Sequence, residues 1–187
     1  MTALEKLRLV SVGDYLAGEE QSGVRHEYLG GQLHAMAGGS NRHNTVVLNA
    51  QAGLLVRLRG KRCQPFNSGT KVRIDLSDHT RFYYPDAMVV CHPNPSADHW
   101  QDHPLVVIEV LSDSTRRVDC GEKRDAYLTI QTLKVLLLVE ADEPGVLVYR
   151  RCAEGGFATE KHTGIGAVIP LPEIDAELPL AELYERA

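Results

Sequence analysis

The most regular hydrophobic pattern in the chain is Leu105-Val106-Val107-Ile108-Glu109-Val110-Leu111, where six of seven residues are apolar and three are valine. Bounded by Pro104 and by Ser112-Asp113-Ser114, it reads as a strand covered on both faces of a sheet. Further strands are predicted at Cys63–Phe66, Gly69–Asp75, Phe82–Cys91, Val135–Glu140, Val146–Arg150 and, less regularly patterned, Phe157–Lys161. Arg25 to Leu29 and Gln32 to Met36 flank Gly30-Gly31, a hairpin signal. Ser11-Val12-Gly13-Asp14 caps a short helix through Glu19. A second helix is expected from about Arg42 to Arg59, with Val47, Ala50, Leu54 and Leu58 as its apolar stripe. A third follows Asp119 to about Leu133, and a short one is expected at Ala181–Tyr184. Polar, proline-containing residues 92–103 read as a loop. The order predicts one α/β (α+β) domain over residues 1–187, with a mixed central sheet flanked by helices.

A chain of 187 residues can bury a sizeable core. No apolar run has the length of a membrane span, and no signal-peptide pattern opens the chain. The cysteines Cys63, Cys91, Cys120 and Cys152 are scattered without a C-x-x-C pair. They are expected as free thiols in a cytoplasmic protein, not as a disulfide or metal framework. His92, His99 and His103 lack a metal-ligand spacing and are expected to be solvated. The net charge of −5 argues against a generic polyanion binder. Residues 154–187 hold seven acids against two bases, while Arg57, Arg59, Lys61, Arg62, Lys71 and Arg73 occur with no acid among them. That run is either a phosphate-contacting patch, with Arg116 and Arg117, or a solvated face.

Glu109 breaks its strand's pattern. A carboxylate buried there costs several kcal/mol unless a cation, a metal or good donors meet it. Asp86, after Pro85, is the obvious second carboxylate. Lys123, in the helical segment beyond the Glu109 strand, is the obvious cation, with Tyr127 and Ile130 on the same helix face. Two carboxylates on neighbouring strands suit Mg²⁺ or Mn²⁺, and a lysine can orient a water or offset charge on a phosphate. Asp119 and Lys123 also form an i, i+4 pair, which in a surface helix is worth a few tenths of a kcal/mol. On the residues alone His43 is a surface histidine in a helix's first turn.

Pro85-Asp86, twenty-two residues, then Glu109-Val110-Leu111 resembles the PD-(D/E)-x-K nuclease pattern, with Leu111 in place of its lysine. The wider chain is similar to the Uma2 (DUF820) family, a restriction-endonuclease-like group of that superfamily. The similarity rests on Arg25-His26-Glu27-Tyr28 before the glycine hairpin, His43 opening a helix, and Tyr84-Pro85-Asp86. It continues through Val107 to Thr115 and Asp119…Lys123…Tyr127. Asp113, where the family usually has proline, and Lys134-Val135, in place of Glu-Tyr, depart from it. The resemblance implies a restriction-endonuclease-like core and a Mg²⁺- or Mn²⁺-dependent endonuclease acting on DNA, as a homodimer. It implies Asp86 and Glu109 as metal ligands, Lys123 as the displaced catalytic lysine, and Glu27 and His43 lining the site. Two other readings stay open: an inactive nuclease-fold module that binds nucleic acid or protein, and a carboxylate-pair glycoside hydrolase, for which aromatics are few.

Overall fold

A computed structural model describes residues 9–36, 38–113 and 115–187; Ser114, expected to help bound the Glu109 strand, lies outside the described residues. The Glu109 segment is β8 (Pro104–Leu111), buried along nearly its whole length. It pairs in parallel with β9 (Val135–Glu140) and antiparallel with β6 (Ala87–Val90). Together with β10 (Gly145–Arg151), β11 (Phe157–Thr163) and β3 (Gln64–Asn67) it makes a six-stranded mixed sheet in the order β11-β10-β9-β8-β6-β3.

Strand alternation sorts the side chains of β8. Val106, Ile108 and Val110 join one core cluster, with Val46, Ala50, Leu54 and Leu58 of α2 (Asn41–Leu58). Val107 and Leu111 join a second, with Ala126 and Tyr127 of α4 (Arg124–Thr129). Helices therefore cover both faces, and the continuous apolar run is explained. Ser40 caps α2 by accepting from the His43 amide, and Ser11 caps α1 (Val12–Gln21) by accepting from that of Asp14.

The structure departs from the expected single sheet. A second, five-stranded sheet runs β2-β1-β5-β4-β7, from β1 (His26–Leu29), β2 (Gln32–Ala35), β4 (Lys71–Asp75), β5 (Thr80–Tyr83) and β7 (Trp100–Gln101). The glycine hairpin is present: Gly30 and Gly31 both have positive φ, which a two-residue hairpin turn requires. The expected strand Phe82–Cys91 is two strands in different sheets, because Pro85 cannot donate to a ladder and the chain crosses between sheets at Tyr84–Asp86. The third helix is shorter than expected. It begins with the three-residue α3 (Arg116–Val118) and a π-helical turn (Asp119–Lys123), and α4 ends at Thr129. Near the C-terminus β12 (Val168–Leu171) and β13 (Ala176–Pro179) form a separate ribbon, leading into α5 (Leu180–Leu183).

The cysteine expectation is corrected. Cys63 and Cys91 form a disulfide, while Cys120 and Cys152 are free. Gln64 pairs with Val90 at the end of the β3–β6 ladder, so the two cysteines just beyond it face each other. Two of the four thiols expected to be free are therefore oxidised. Among the described residues no helix is long and apolar enough to cross a membrane.

The basic run is not a free patch either. Arg57 pairs with Glu182, Lys61 with Asp175 and Arg73 with Asp102, and Lys71 is buried beside Tyr84. The acidic tail folds back on α2 and supplies two of those acids.

Candidate active site

The two sheets meet where β5 passes into β6, and Asp86 stands on that crossing. Its Oδ2 accepts from the Val110 amide at 2.7 Å, which ties it to β8 one residue beyond Glu109. Gln51 of α2 donates to the Asp86 carbonyl at 2.7 Å and fixes the peptide from the other side.

Glu109 is buried on the α4 face of β8. Its Oε1 accepts from the Tyr127 hydroxyl at 2.6 Å and lies 3.2 Å from Lys123 Nζ. Lys123 also reaches Glu27 Oε1 at 2.8 Å and Asp119 Oδ1 at 3.5 Å, with the Tyr83 ring 5.6 Å away. Only 8 % of the lysine side chain is exposed, so it is not a solvated surface pair. His43, in the first turn of α2, places Nε2 3.0 Å from the Val110 carbonyl and 3.5 Å from Asp86 Oδ2. Gly39 has no Cβ to collide with the imidazole of His43, and that vacancy lets the turn before α2 pass so close.

All five residues expected at a site thus come together: Asp86, Glu109 and Lys123 with His43 line one cleft, and Glu27 closes it through Lys123. The loop histidines do not join them: His92 contacts Arg62 and His99 lies near Glu20. A separate hollow beside Arg73, Asp102 and Thr132 holds no comparable cluster, since Arg73 and Asp102 neutralise each other. Among the described residues no group of three or more His, Cys, Asp or Glu is arranged to hold a metal by itself.

Charge in the cleft is set by burial and crowding. Burial pushes the Glu109 carboxyl up to about 8, against the pull of Lys123, while Asp86 and Asp119 push it further. Burial works against the Lys123 ammonium, but Glu109, Glu27 and Asp119 outweigh it and hold the lysine well above its ordinary value. The lysine's charge is the firmer of the two. If Glu109 takes a proton, Glu27 and Asp119 still face Nζ. His43 is raised chiefly by its hydrogen bond to Asp86, against burial.

Three contributors were not picked out as site residues from the sequence. Tyr127 was placed on the right helix face, but its bond to Glu109 is not a sequence feature. Asp119, in the sequence an i, i+4 partner of Lys123, is a third carboxylate on the lysine. Gln51 had a signal: it lies at helical spacing between Val47 and Leu54, a polar residue on the stripe that faces the sheet.

A mixed sheet carrying two carboxylates at adjacent central strands, with a lysine entering from the next helix, is the frame of a restriction-endonuclease-like protein. The profile of the Uma2 family, described as "Putative restriction endonuclease", matches residues 12–181. The chain belongs to the Uma2 family. It is 31% identical over 149 residues to the uncharacterized protein slr1290 of Synechocystis sp. (strain ATCC 27184 / PCC 6803 / Kazusa), covering 79% of this chain and 77% of that one. A second protein of that organism, sll1609, is 27% identical over 143 residues, 75% and 80% of the two chains. The crystal structure of a "putative nuclease belonging to DUF820" from Anabaena variabilis ATCC 29413 superposes with a TM-score of 0.73. It is 17% identical and the match covers 94% of this chain and 97% of that one, so it shows the fold.

Proposed function

We propose that the chain is a divalent-metal-dependent endonuclease that hydrolyses DNA phosphodiester bonds, working as one domain and as a homodimer suited to the two strands of a duplex. The observation that carries the reading is Lys123 Nζ at 3.2 Å from Glu109, beside Asp86. A helix-borne lysine supplies the charge that Leu111 cannot.

The donor set fits a small hard cation. The Asp86 carboxylate and the Val110 carbonyl converge on a single N–H, that of His43, and Glu109 is one residue away. Three carboxyl groups (Glu109, Glu27, Asp119) face one lysine, and Asp86 lines the same cleft, so acids outnumber the lysine. Mg²⁺ or Mn²⁺, which retain several waters, need few protein ligands, and Asp86 and Glu109 would hold the ion. Bound there, it would polarise a phosphoryl oxygen and make a water nucleophilic.

The chain's own groups have separable tasks. Lys123 keeps its proton, so it serves as a fixed cation and donor towards charge growing on the phosphate, not as a general base. Tyr127 holds the orientation of Glu109, and Gln51 that of the Asp86 peptide. Arg117, exposed on the adjoining cleft, is positioned to meet substrate phosphate.

One observation favours a second reading, a nuclease-fold module without turnover: the His43 imidazole stands against both Asp86 and Val110, where an ion would have to sit. Supercoiled plasmid incubated with Mg²⁺, Mn²⁺ or chelator separates the two. Metal-dependent nicking by the parent that is lost in Glu109→Gln and in Lys123→Met supports the enzyme. Intact plasmid with either metal, together with no Mn²⁺ heat in calorimetry, supports the inactive module.

A further inference from the structure

Helix α2 has a second apolar face, turned away from the core. Leu48, Leu55 and Val56 are 64%, 55% and 65% exposed, and Ala52 between them is exposed too. From Asn44 to Val56 the helix carries no charged residue. Isolated exposed apolar residues need no explanation, but a contiguous uncharged stripe on one helix face does.

We infer that this stripe is the contact between two copies of the chain, which pair α2 against α2 across a two-fold axis at Ala52. This names the surface for the homodimer of the preceding reading, yet it stands on the stripe itself. Leu48, Ala52 and Val56 follow one another at i, i+4 and i+8, which forms a single ridge. The ridge is symmetric about its centre: an axis through Ala52 sets Leu48 of one copy against Val56 of the other, and the reverse. A patch complementary to itself is what a two-fold interface requires. The small side chain at the crossing lets two such ridges interlock at the steep angle usual for this packing.

The rim fits as well. Arg59, exposed just past one end of the ridge, has no ion-pair partner among the described residues. Glu185 stands beside the other half, where its carbonyl accepts from Asn49; its side chain is exposed, with the still more exposed Arg186 3.9 Å away. An antiparallel pairing turns the basic end of one copy towards the acidic flank of the other. The opposite face of α2 remains on the sheet, so Gln51 and His43 keep their places.

Light scattering with size-exclusion chromatography over a range of concentrations tests this. The parent is expected at twice the chain mass of 20.7 kDa, and Leu48→Glu with Val56→Glu at half the parental value, with unchanged circular dichroism. With the free thiols removed (Cys120→Ser, Cys152→Ser), Ala52→Cys is expected to cross-link to dimer under mild oxidant, while Ala97→Cys in the 92–103 loop does not. A monomeric parent overturns the inference. So does a dimer that survives both glutamates, or one whose Ala52→Cys form stays uncoupled. A monomer that still cleaves plasmid would sink the interface and spare the nuclease; a stripe-dependent dimer that cleaves nothing would do the reverse.

Discussion

Replacing Lys123 with methionine separates a buried charge network from an ordinary helix pair. Methionine keeps the length of the side chain and removes the ammonium. Three carboxylates then lose their shared partner, at 2.8, 3.2 and 3.5 Å, and two of them, Glu109 and Asp119, are almost fully buried. Removing one member of such a cluster costs about 3–5 kcal/mol. An exposed i, i+4 pair is worth only ~0.3 kcal/mol, so the two cases differ by roughly tenfold. The loss also depends on pH. Because the Glu109 carboxyl is raised to about 8, the stability linked to its proton is full below the unfolded value and fades as pH rises through 8. Without Lys123 that value rises further, so the variant continues to lose about 1.4 kcal/mol per pH unit above 8, after the parent's curve has flattened. Urea unfolding of both proteins in chelator, at about pH 6 and about pH 9, measures this. A difference below about 1 kcal/mol at both values would refute the buried network.

Four other outcomes are expected. Mn²⁺ affinity should tighten as pH rises towards 8, since the ion must displace the Glu109 proton; calorimetry showing the same affinity on either side of that value would remove Glu109 from the ligands. Tyr127→Phe should lower stability by about 1–3 kcal/mol through the lost donor to a buried carboxylate, read in urea melts, and should move any cleavage optimum to higher pH. Alkylation without reductant should label Cys120 and Cys152 and spare Cys63 and Cys91, and Cys63→Ser should cost ~3 kcal/mol in the same melts. Arg117→Ala should weaken duplex DNA binding and flatten its salt dependence by about one unit of slope, whereas Arg73→Ala, already paired with Asp102, should leave the slope alone.

The site was legible in the sequence where a residue contradicted its surroundings. Glu109 in a valine-rich strand demanded a partner, and the helix face holding Lys123 and Tyr127 supplied it, because strand alternation and helix periodicity are local properties. What depended on contacts distant in sequence was not legible. The stretch Phe82 to Cys91 has strand composition on both sides of Pro85, which marks a break, and only tertiary packing shows that the two halves enter different sheets. The Cys63–Cys91 bond spans 28 residues and follows from a ladder register that no spacing announces. The sequence leaves the basic run between a phosphate-contacting patch and a solvated face because its counter-charges, Glu182 and Asp175, lie more than a hundred residues further on. The ribbon of β12 and β13 was missed for its prolines, Pro170 and Pro179, which an edge ribbon tolerates.

The π-helical turn explains how one short segment can serve two sheets. The Arg124 amide bonds back to the Asp119 carbonyl, five residues away, so this turn is wider than an α-helical one. Asp119 and Lys123, at its two ends, are both buried towards Glu109 on β8, and Lys123 continues to Glu27 on β1. Glu122 is left free to take the Tyr83 hydroxyl at 2.8 Å and Arg81 at 2.9 Å, both on β5. The turn therefore grips the six-stranded sheet through one residue and the five-stranded sheet through two. Asp86 bridges the same seam on the segment that joins β5 to β6, through its bond to the Val110 amide. A buried lysine and the three acids around it could not be brought together by a single strand or helix, since each element can send only a few groups to one point. At a seam three elements do so together. The seam's ion network and the relative position of the two sheets are one structural unit, and a change that separates the sheets must break Lys123's contact with either Glu109 or Glu27.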